Sequence, residues 1–405
     1  MDLKSGYPFW AIKNGLMHAF EPLQRDVRCE VAVIGGGITG ALIARAMAGE
    51  GLDVAVVEQR DIGWGSTSAS TALLQYEIDT HLVELAERYG EADAVLAYRA
   101  CAEAIGLVGE RARAVRDVDF GPMRSLYWAS RRRDVDTLQA ECALRARHGF
   151  DVSWLDAGAV REEFGLAAPG AILSALAARV DPYRLAYRLF MRLQRNGTAV
   201  HDRTRVDEVE ATSRRVRMRT ASGCRIEADY AVVAAGYASQ HWLKETVARN
   251  RSSYAFITDP LPDGAAGGLA DTMAWESARP YLYLRTTGDG RLLVGGEDDA
   301  VDIPARRDKR VHGKARTLVK RMHRALPLLP VVPAFSWAGT FAETEDGLPY
   351  FGAHEQRGPR VLFAMAYGGN GITYSMLGAG LLRATIERRA HPLKTLFGFA
   401  RRERR

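Results

Sequence analysis

The feature that most constrains the fold of this chain is a glycine-rich loop that separates an apolar strand from a helix. Residues 30–34 have the uninterrupted apolar pattern of a buried strand, and residues 38–50 have helical periodicity. A second apolar strand is predicted at Val54–Val57. Strand, helix and strand follow one another within about 30 residues, the length of one βαβ unit. The two strands are therefore expected to be parallel neighbours.

The loop itself, Gly35-Gly-Gly-Ile-Thr-Gly40, has the GxGxxG spacing of a dinucleotide-binding turn. Gly35 permits the tight turn, Gly37 lets the backbone approach a pyrophosphate, and Gly40 lets helix and strand pack closely. The helix N-terminus behind the loop attracts the negative charge of that pyrophosphate. Glu58 ends the second strand, where a carboxylate accepts hydrogen bonds from a ribose hydroxyl pair. The sequence therefore predicts a bound dinucleotide, and Glu58 disfavours one with a 2′-phosphate.

The length of the chain favours two domains, because a single hydrophobic core stops growing at about 250–300 residues and this chain has 405. Apolar residues recur at helical spacing over 81–117 and 135–146. This middle region is predicted to be helical and poor in strands. Another helix is predicted at Tyr183–Arg195, followed by a short strand at 198–201. These two elements add a second βα-type connection to the parallel sheet.

Three patterns in the C-terminal half of the chain predict further strands. Residues 203–236 alternate between polar and apolar side chains and end in an apolar run, which indicates an antiparallel meander that returns to the parallel sheet. Residues 281–285 and 292–296 flank a glycine-containing turn and predict a hairpin. A strand at Val361–Met365 leads through a second glycine-rich loop into a helix that begins near Ile372.

Composition excludes several classes of protein. With 47% apolar and 26% charged residues, the chain has the composition of a soluble globular protein. The first 28 residues lack the apolar core of a secretory signal, and no segment reaches the roughly 18–20 uncharged residues of a membrane span. The four cysteines lie far apart and the histidines show no metal spacing, so free thiols in a reducing cytoplasm and no metal site are expected.

The net charge of +6 does not by itself point to a nucleic acid partner. Much of it comes from arginine runs at 131–133 and 401–405, which are predicted to be solvated faces or frayed ends. These runs lack the interleaved aromatic residues of an RNA-binding surface. No nucleic acid partner is therefore expected.

Small and hydroxyl-bearing residues fill 63–71, directly after Glu58, and their hydrogen-bonding groups suit the diphosphate and ribityl chain of a cofactor. Several motifs follow one another in a recognisable order: Gly35–Gly40, Glu58, Gly65–Thr67, Ala234–Gly236, Asp346–Pro349 and Gly368–Gly371. In these motifs the chain resembles the D-amino-acid oxidase family of FAD-dependent oxidoreductases, which includes glycine and sarcosine oxidases. The resemblance covers most of residues 28–390.

The resemblance implies an α/β fold in two parts. A Rossmann-like FAD-binding domain, made of a parallel sheet and a β-meander, is expected at 28–80, 179–240 and 331–400. A discontinuous α+β substrate domain, built on a mixed sheet, is expected at 81–178 and 241–330. Residues 1–27 are expected to form an N-terminal arm.

The resemblance also implies which residues hold FAD. The helix N-terminus near Gly371–Thr373 is expected to face the flavin pyrimidine edge and to stabilise negative charge there. The expected FAD-binding residues are Gly35, Gly37, Ile38, Thr39, Gly40, Glu58, Gln59, Gly65, Ser66, Thr67, Thr71, Val206, Ala235, Gly236, Gly339, Asp346, Gly368, Gly369, Asn370, Gly371, Ile372 and Thr373. Relatives that attach FAD covalently use a C-terminal cysteine or a histidine after the first strand pair. This chain has no cysteine beyond Cys224 and no histidine within 63–75, so its FAD is expected to be non-covalent and dissociable.

The implied reaction is hydride transfer from the carbon next to an amine nitrogen to the flavin, which yields an imine that water hydrolyses. Strand alternation places Tyr281, Tyr283 and Arg285 on one side of the predicted hairpin. The guanidinium of Arg285 suits a bidentate carboxylate clamp, and Glu297 suits a cationic amine. Two alternatives stay open at this point: the hairpin face is unrelated to the substrate, and Glu297 is simply exposed.

The expected partners are a small-molecule amine or amino-acid substrate and an electron acceptor, which is oxygen or another molecule. Two other functions remain open: a flavoprotein module in RNA modification, and a flavin dehydrogenase that passes electrons to an acceptor other than oxygen. The sequence does not predict the substrate or the oligomeric state.

Overall fold

A computed structural model describes residues 2–404 and arranges them in two β-sheets with helices packed against them. The strands are β1 (Lys4–Gly6), β2 (Val27–Ile34), β3 (Val54–Val57), β4 (Leu73–Gln75), β5 (Gly121–Trp128), β6 (Val152–Asp156), β7 (Gly170–Arg179), β8 (Ala199–His201), β9 (Val206–Ala211), β10 (Val216–Thr220), β11 (Arg225–Val233), β12 (Arg249–Pro260), β13 (Thr272–Glu276), β14 (Leu282–Thr286), β15 (Arg291–Asp299), β16 (Pro333–Glu343), β17 (Tyr350–Ala353) and β18 (Val361–Met365). The α-helices are α1 (Phe9–Asn14), α2 (Ile38–Ala48), α3 (Ser66–Ala69), α4 (Leu82–Tyr89), α5 (Glu91–Val115), α6 (Val135–Arg147), α7 (Ala157–Phe164), α8 (Pro182–Arg195), α9 (Pro304–Asp308), α10 (Val311–Ala325) and α11 (Gly371–Ile386).

The first sheet has eight strands and contains the predicted βαβ unit. Its main path is β17-β18-β11-β2-β3-β8, and all neighbours from β18 to β8 pair in parallel. β9 and β10 form an antiparallel meander that runs into β11. The predicted parallel sheet, meander and returning strand are therefore confirmed.

Both faces of this parallel sheet are buried at its centre, which explains the apolar runs Val31–Ile34, Val54–Val57 and Ala231–Val233 in its strands. In β2, Val31 and Val33 belong to one hydrophobic cluster with residues of α2 and α8, whereas Ala32 and Ile34 belong to a second cluster on the other face. Fully burying one such aliphatic side chain contributes about 1.5–3 kcal/mol. The sheet is thus a rigid base for the loop that follows β2.

The second sheet has ten strands in the order β1-β16-β12-β15-β14-β13-β5-β7-β4, with β6 paired to β7. β13 and β5 pair in parallel and the other neighbours pair antiparallel, so the sheet is mixed, as predicted. The predicted hairpin is confirmed as β14 and β15, in which Tyr283 lies opposite Gly295. A Cβ atom on Gly295 would lie 2.3 Å from the Tyr283 ring, so the glycine makes room for the tyrosine.

The structure corrects the prediction that the middle of the chain is poor in strands. β5 lies there between α5 and α6, and β6 and β7 follow α6; all three strands belong to the ten-stranded sheet. β5 carries Pro122 and Arg124, which weaken the apolar alternation that marks a strand. Its parallel partner β13 lies far away in the sequence, so tertiary pairing rather than local pattern makes this segment a strand.

Sheet membership also bears on the two expected domains. β16 falls within the segment 331–400 assigned to the FAD-binding domain, yet it pairs with β12 in the ten-stranded sheet. β1 comes from the expected N-terminal arm and pairs with β16. By strand pairing, both segments join the second sheet rather than the first.

One of the two arginine runs departs from its predicted exposure. Arg131, Arg132 and Arg133 are exposed, but Arg401 is completely buried. Its guanidinium is buried because it pairs with Asp346, with Nε 2.7 Å from the carboxylate. The last residue of that run, Arg405, lies outside the described residues.

Candidate functional site

The glycine-rich loop after β2 is packed so closely that side chains at Gly35 and Gly40 would collide with neighbouring backbone. Gly35 has a φ of +128°, and a Cβ atom on it would lie 2.3 Å from the carbonyl oxygen of Ala234. A Cβ atom on Gly40 would lie 1.9 Å from the carbonyl oxygen of Gly35. The loop leads into the N-terminus of α2, which is the positive end of the helix. This cradle of close-packed backbone fits a diphosphate such as that of FAD.

Glu58 lies at the end of β3, beside this loop. Its two carboxylate oxygens accept hydrogen bonds from the backbone N–H of Gly36, at 2.7 Å, and of Arg60, at 2.9 Å. Burial raises the pKa of the Glu58 carboxyl, although these two N–H groups oppose the shift. The two bonds orient the carboxylate along the wall of the cleft, where its remaining lone pairs suit ribose hydroxyls.

The small-residue segment that follows is anchored from several directions. Thr67 accepts a hydrogen bond from the backbone N–H of Ile38 at 3.0 Å and so caps α2. The indole of Trp10 donates to the carbonyl oxygen of Ser70 at 2.7 Å, and the indole of Trp337 donates to that of Ala69 at 2.8 Å. Both indoles are fully buried. The segment is therefore held in place next to the glycine-rich loop.

These elements line a space that we name the glycine-loop cleft. The predicted FAD-binding residues that line it are Gly35, Gly37, Ile38, Thr39, Glu58, Gln59, Gly65, Ser66, Thr67, Val206, Ala235, Gly236, Gly369, Gly371 and Ile372. Four others, Thr71, Gly339, Gly368 and Asn370, line a neighbouring cavity. Gly40, Asp346 and Thr373 line neither space.

Asp346 and Thr373 have hydrogen-bond partners within the protein and line neither space. Asp346 accepts hydrogen bonds from the hydroxyl of Tyr89, at 2.6 Å, and from Arg401. The hydroxyl of Thr373 donates to the carbonyl oxygen of Gln75 at 3.3 Å. Neither residue is therefore exposed to the space in which a cofactor would bind.

The neighbouring cavity, which we name the aromatic cavity, adjoins the glycine-loop cleft. Both spaces are lined by Ser66, Ser70, Tyr237, Gly369, Gly371 and Ile372. The N-terminus of α11 therefore lies at the junction. The loop before it is held by Asp79, whose carboxylate accepts from the N–H of Gly369 at 3.2 Å, and by Asn370, which donates to the carbonyl oxygen of Glu77 at 2.5 Å.

Six aromatic residues line the aromatic cavity: Tyr237, Trp275, Tyr281, Tyr283, Trp337 and Phe341. The two tyrosines predicted from the hairpin are thus brought together in one wall. Trp275 stacks on Tyr127, with ring centroids 3.6 Å apart, and meets the Tyr281 ring edge-on. Burial raises the pKa of Tyr283 to about 12 and that of Tyr281 well above its usual value. Both phenols are therefore neutral hydrogen-bonding groups near neutral pH.

The charged residues of the aromatic cavity are ones that the sequence did not single out: Asp79, Arg279, Asp298 and Glu343. The guanidinium of Arg279 lies 3.8 Å from the centre of the Tyr281 ring. It also donates to the carbonyl oxygen of Asp79 at 3.2 Å. Arg279 is exposed, which places it at the mouth of the cavity.

The other two residues proposed from the hairpin lie outside this cavity. Arg285 is fully buried, and its guanidinium donates to the backbone carbonyls of Thr71, Thr286 and Val180. Glu297 turns toward α10, where its carboxylate lies 2.6 Å from Arg321 and 3.5 Å from Lys314. Arg285 is therefore held by three backbone carbonyls and does not line the aromatic cavity, where a carboxylate clamp was expected. Glu297 likewise has protein partners in place of a substrate amine.

Within residues 2–404, no helix is both long and apolar enough to cross a membrane. Over the same residues, no group of three or more histidine, cysteine or acidic side chains is arranged to hold a metal ion.

The chain resembles known proteins over almost its whole length. Its residues 30–385 match the family described as FAD dependent oxidoreductase, DAO. It is 29% identical over 395 residues to gamma-glutamylputrescine oxidoreductase of Escherichia coli (strain K12), which covers 94% of this chain and 89% of that protein. It is 28% identical over 382 residues to glycine oxidase of Geobacillus kaustophilus (strain HTA426), with 89% and 94% covered.

The fold comparison agrees with these matches. The crystal structure of glycine oxidase from Geobacillus kaustophilus superposes with a TM-score of 0.77 at 22% identity and covers 92% of this chain and 98% of that one. The predicted reaction class, oxidation at the carbon–nitrogen bond of an amine or amino acid, agrees with the names of both sequence relatives. Because the family match spans most of the chain and its glycine loop fits the cofactor, this protein belongs to the D-amino-acid oxidase family of FAD-dependent oxidoreductases, as predicted from the sequence.

Proposed function

We propose that this enzyme oxidises the carbon–nitrogen bond of a small cationic amine or amino acid that binds in the aromatic cavity. The observation that carries the proposal is the pairing of this cavity with the glycine-loop cleft across the N-terminus of α11. A substrate in the one space would lie against a cofactor in the other. The names of the two sequence relatives, one for glycine and one for gamma-glutamylputrescine, support a nitrogen-containing substrate.

The charge of the cavity wall supports a cation. Asp79, Asp298 and Glu343 line the cavity, and Arg279 is the one basic residue among its described lining residues. A cleft in which carboxylates outnumber bases attracts positive charge and raises its local concentration. The aromatic wall adds to this preference, because an ammonium group is attracted to the faces of tryptophan and tyrosine rings.

The carboxylate clamp that the sequence suggested for Arg285 is assigned here to Arg279. Its guanidinium lies at the mouth of the cavity, over Tyr281, where it can meet a substrate carboxylate in a bidentate pair. An amino acid would then bind with its carboxylate toward the mouth and its amine toward Asp298. We propose Arg279 as the residue that favours amino acids over plain amines.

FAD, when bound in the glycine-loop cleft, supplies the acceptor for the two electrons of the oxidation. The contribution of the chain is to orient the substrate, exclude water and provide a fixed electrostatic environment. The N-terminus of α11 adds positive potential at the junction of the two spaces and stabilises negative charge there. The neutral phenols of Tyr281 and Tyr283 hydrogen-bond the substrate without competing for its proton.

Anaerobic mixing of the FAD-loaded enzyme with matched compounds tests this function. Each amino acid is compared with the amine that lacks its carboxylate and with the corresponding 2-hydroxy acid, and loss of the oxidised flavin absorbance is recorded. We expect bleaching by amino acids or amines and none by hydroxy acids. Bleaching by hydroxy acids alone, or by none of the three classes, would contradict the proposal. Later addition of oxygen or of a dye distinguishes an oxidase from a dehydrogenase.

The Arg279→Ala variant tests the carboxylate anchor. A charge-assisted bidentate pair contributes about 1.5–3 kcal/mol, so KM for amino acids should rise at least about tenfold while KM for the matched amines changes little. An equal change for both classes would contradict the role of Arg279. We further propose a cytoplasmic location, which the four free cysteines support, since three of them are buried thiols.

A further inference from the structure

A β-bulge between β12 and β15 decides which acid of β15 reaches the aromatic cavity. Ser252 pairs with Asp299, and Tyr254 pairs with Gly296. Two residues of β15, at 297 and 298, therefore lie opposite the single residue Ser253 of β12. Bulges of this kind occur next to active sites and change the direction of a side chain.

The bulge is stabilised on the side that faces α10. Glu297 has a φ of +55°, a left-handed conformation that is unfavourable for a residue with a side chain. Its carboxylate accepts a hydrogen bond from Arg321 at 2.6 Å, and its backbone carbonyl accepts one from Lys314 at 2.7 Å. These contacts hold Glu297 away from the aromatic cavity. The following residue, Asp298, is thereby directed into it.

Asp298 is the carboxylate of the cavity with an unused acceptor. Its Oδ1 is shielded from solvent and has no hydrogen-bond partner among residues 2–404. Buried polar atoms in proteins are almost always paired, so this carboxylate oxygen is available to an N–H or O–H donor that enters the cavity. A substrate ammonium is such a donor.

The charged and polar groups around Asp298 come from several elements. Burial raises the pKa of its carboxyl to about 7, and the negative charges of Glu343 and Asp79 act in the same direction. A hydrogen bond from Ser253 and the positive charge of Arg279 act in the opposite direction. Tyr281 and Tyr283 also face this carboxyl. A group of this kind exchanges protons readily near neutral pH, which suits a general base.

We propose that Asp298 is a catalytic residue that binds the substrate ammonium and accepts one of its protons. The inference rests on the proposed oxidation of an amine. In this step an N–H bond breaks and an O–H bond forms on the carboxylate, while nitrogen keeps the electron pair. No electrons are transferred to another molecule. The product is a neutral amine, the form from which hydride can leave the adjacent carbon.

Binding of an amine that cannot be oxidised tests the first half of the inference. The probe is tert-butylamine, whose carbon next to nitrogen carries no hydrogen, and the FAD-loaded enzyme is titrated with it while the flavin spectrum is recorded. Asp298→Asn should raise Kd at least about tenfold, the loss expected for a charge-assisted hydrogen bond. Asp259→Asn removes the same charge from an exposed residue that lines neither space and should leave Kd unchanged.

The pH dependence of anaerobic flavin reduction tests the second half. For the wild type, the reduction rate should fall as pH decreases through the pKa of Asp298, because the protonated carboxyl no longer accepts a proton. In Asp298→Asn the limb at the pKa of Asp298 should disappear. The rate should then fall with decreasing pH only through the pKa of the free amine. Ser253→Ala removes a hydrogen bond that favours the charged form, so its acid limb should move to higher pH.

The outcomes separate this inference from the proposed function. Asp298→Asn with wild-type Kd for tert-butylamine and an unchanged acid limb would overturn the role of Asp298 and leave amine oxidation intact. If Asp298→Asn does not fold or retain FAD, an unshifted acid limb in Ser253→Ala overturns the role instead. FAD-loaded wild type that no amine or amino acid bleaches would overturn both the inference and the proposed function.

Discussion

Arg401 binds Asp346 through two nitrogens of its guanidinium, although 55 residues separate them and both side chains are buried. The remaining donors of Arg401 reach the backbone carbonyls of Leu348, Pro349 and Leu396. The C-terminal segment is thereby fastened to the loop after β16. This contact explains why Asp346, which the family motif suggested as a cofactor ligand, lies outside the cleft.

Arg401→Ala should lower the free energy of unfolding by about 3–5 kcal/mol, because it leaves the carboxylate of Asp346 buried without its partner. Urea denaturation measures the loss. The control is Arg402→Ala, which removes a neighbouring arginine whose partner Glu245 is partly exposed and should cost about 0–1 kcal/mol. Equal losses of unfolding free energy in the two variants would show that the buried pair stabilises the fold no more than the exposed one.

Gly37→Ala should weaken FAD binding. The added Cβ atom would lie 2.9 Å from the hydroxyl oxygen of Thr67, inside the turn that the diphosphate approaches. We expect the Kd for FAD to rise at least about tenfold, which corresponds to about 1.4 kcal/mol. The ratio of flavin to protein absorbance after reconstitution reports the effect. Gly106→Ala adds a methyl group to α5 where nothing lies within 4 Å, so its flavin content should equal that of the wild type.

Arg285→Lys should affect stability and not substrate choice. A lysine ammonium does not reproduce the planar fork with which Arg285 reaches three backbone carbonyls. We expect a loss of about 1–3 kcal/mol in the free energy of unfolding, from carbonyls left unpaired. Thermal unfolding measures the loss, and steady-state kinetics measures KM. A selective rise in KM for amino acids over matched amines would instead support the clamp predicted from the sequence.

The flavin of the holoenzyme should separate from the chain on denaturation. This expectation rests on the absence of cysteine beyond Cys224 and of histidine within 63–75. Acid precipitation should leave the yellow chromophore in the supernatant, where its absorbance is compared with that of the intact holoenzyme. Flavin that remains with the pellet after washing in denaturant would show a covalent bond and identify an attachment site that the sequence does not suggest.

The fold was predictable where the elements that pack together are also neighbours in the sequence. The unit β2–α2–β3 is marked by apolar runs and by glycines whose positions sterics require, so its strands, helix and loop were all placed correctly. The strand β5 was missed because its pairing with β13 lies outside any local window. Pairing between distant segments likewise places β16, from the segment expected in the FAD-binding domain, beside β12 in the ten-stranded sheet.

The site was predictable only in part. Strand alternation places Tyr281 and Tyr283 together correctly, because they are neighbours on one face of the hairpin. Arg285 shares that face but lies further along, where it is bonded to the backbone of the cavity-wall residue Thr71. The bulge at 297–298 places Asp298 rather than Glu297 in the wall of the aromatic cavity, and no pattern in a single sequence marks such an insertion. The run of three acids from Glu297 to Asp299 indicates a carboxylate near this position, but not which of the three lines the cavity.

The two buried tryptophans that hold the small-residue segment also provide a built-in optical reporter. Trp10 and Trp337 each donate to a carbonyl of the segment that separates the cleft from the cavity. Indole emission overlaps flavin absorption, so excitation energy passes efficiently from a nearby tryptophan to a bound flavin. Loading and loss of the cofactor can therefore be followed as quenching and recovery of intrinsic fluorescence, without a label and without turnover.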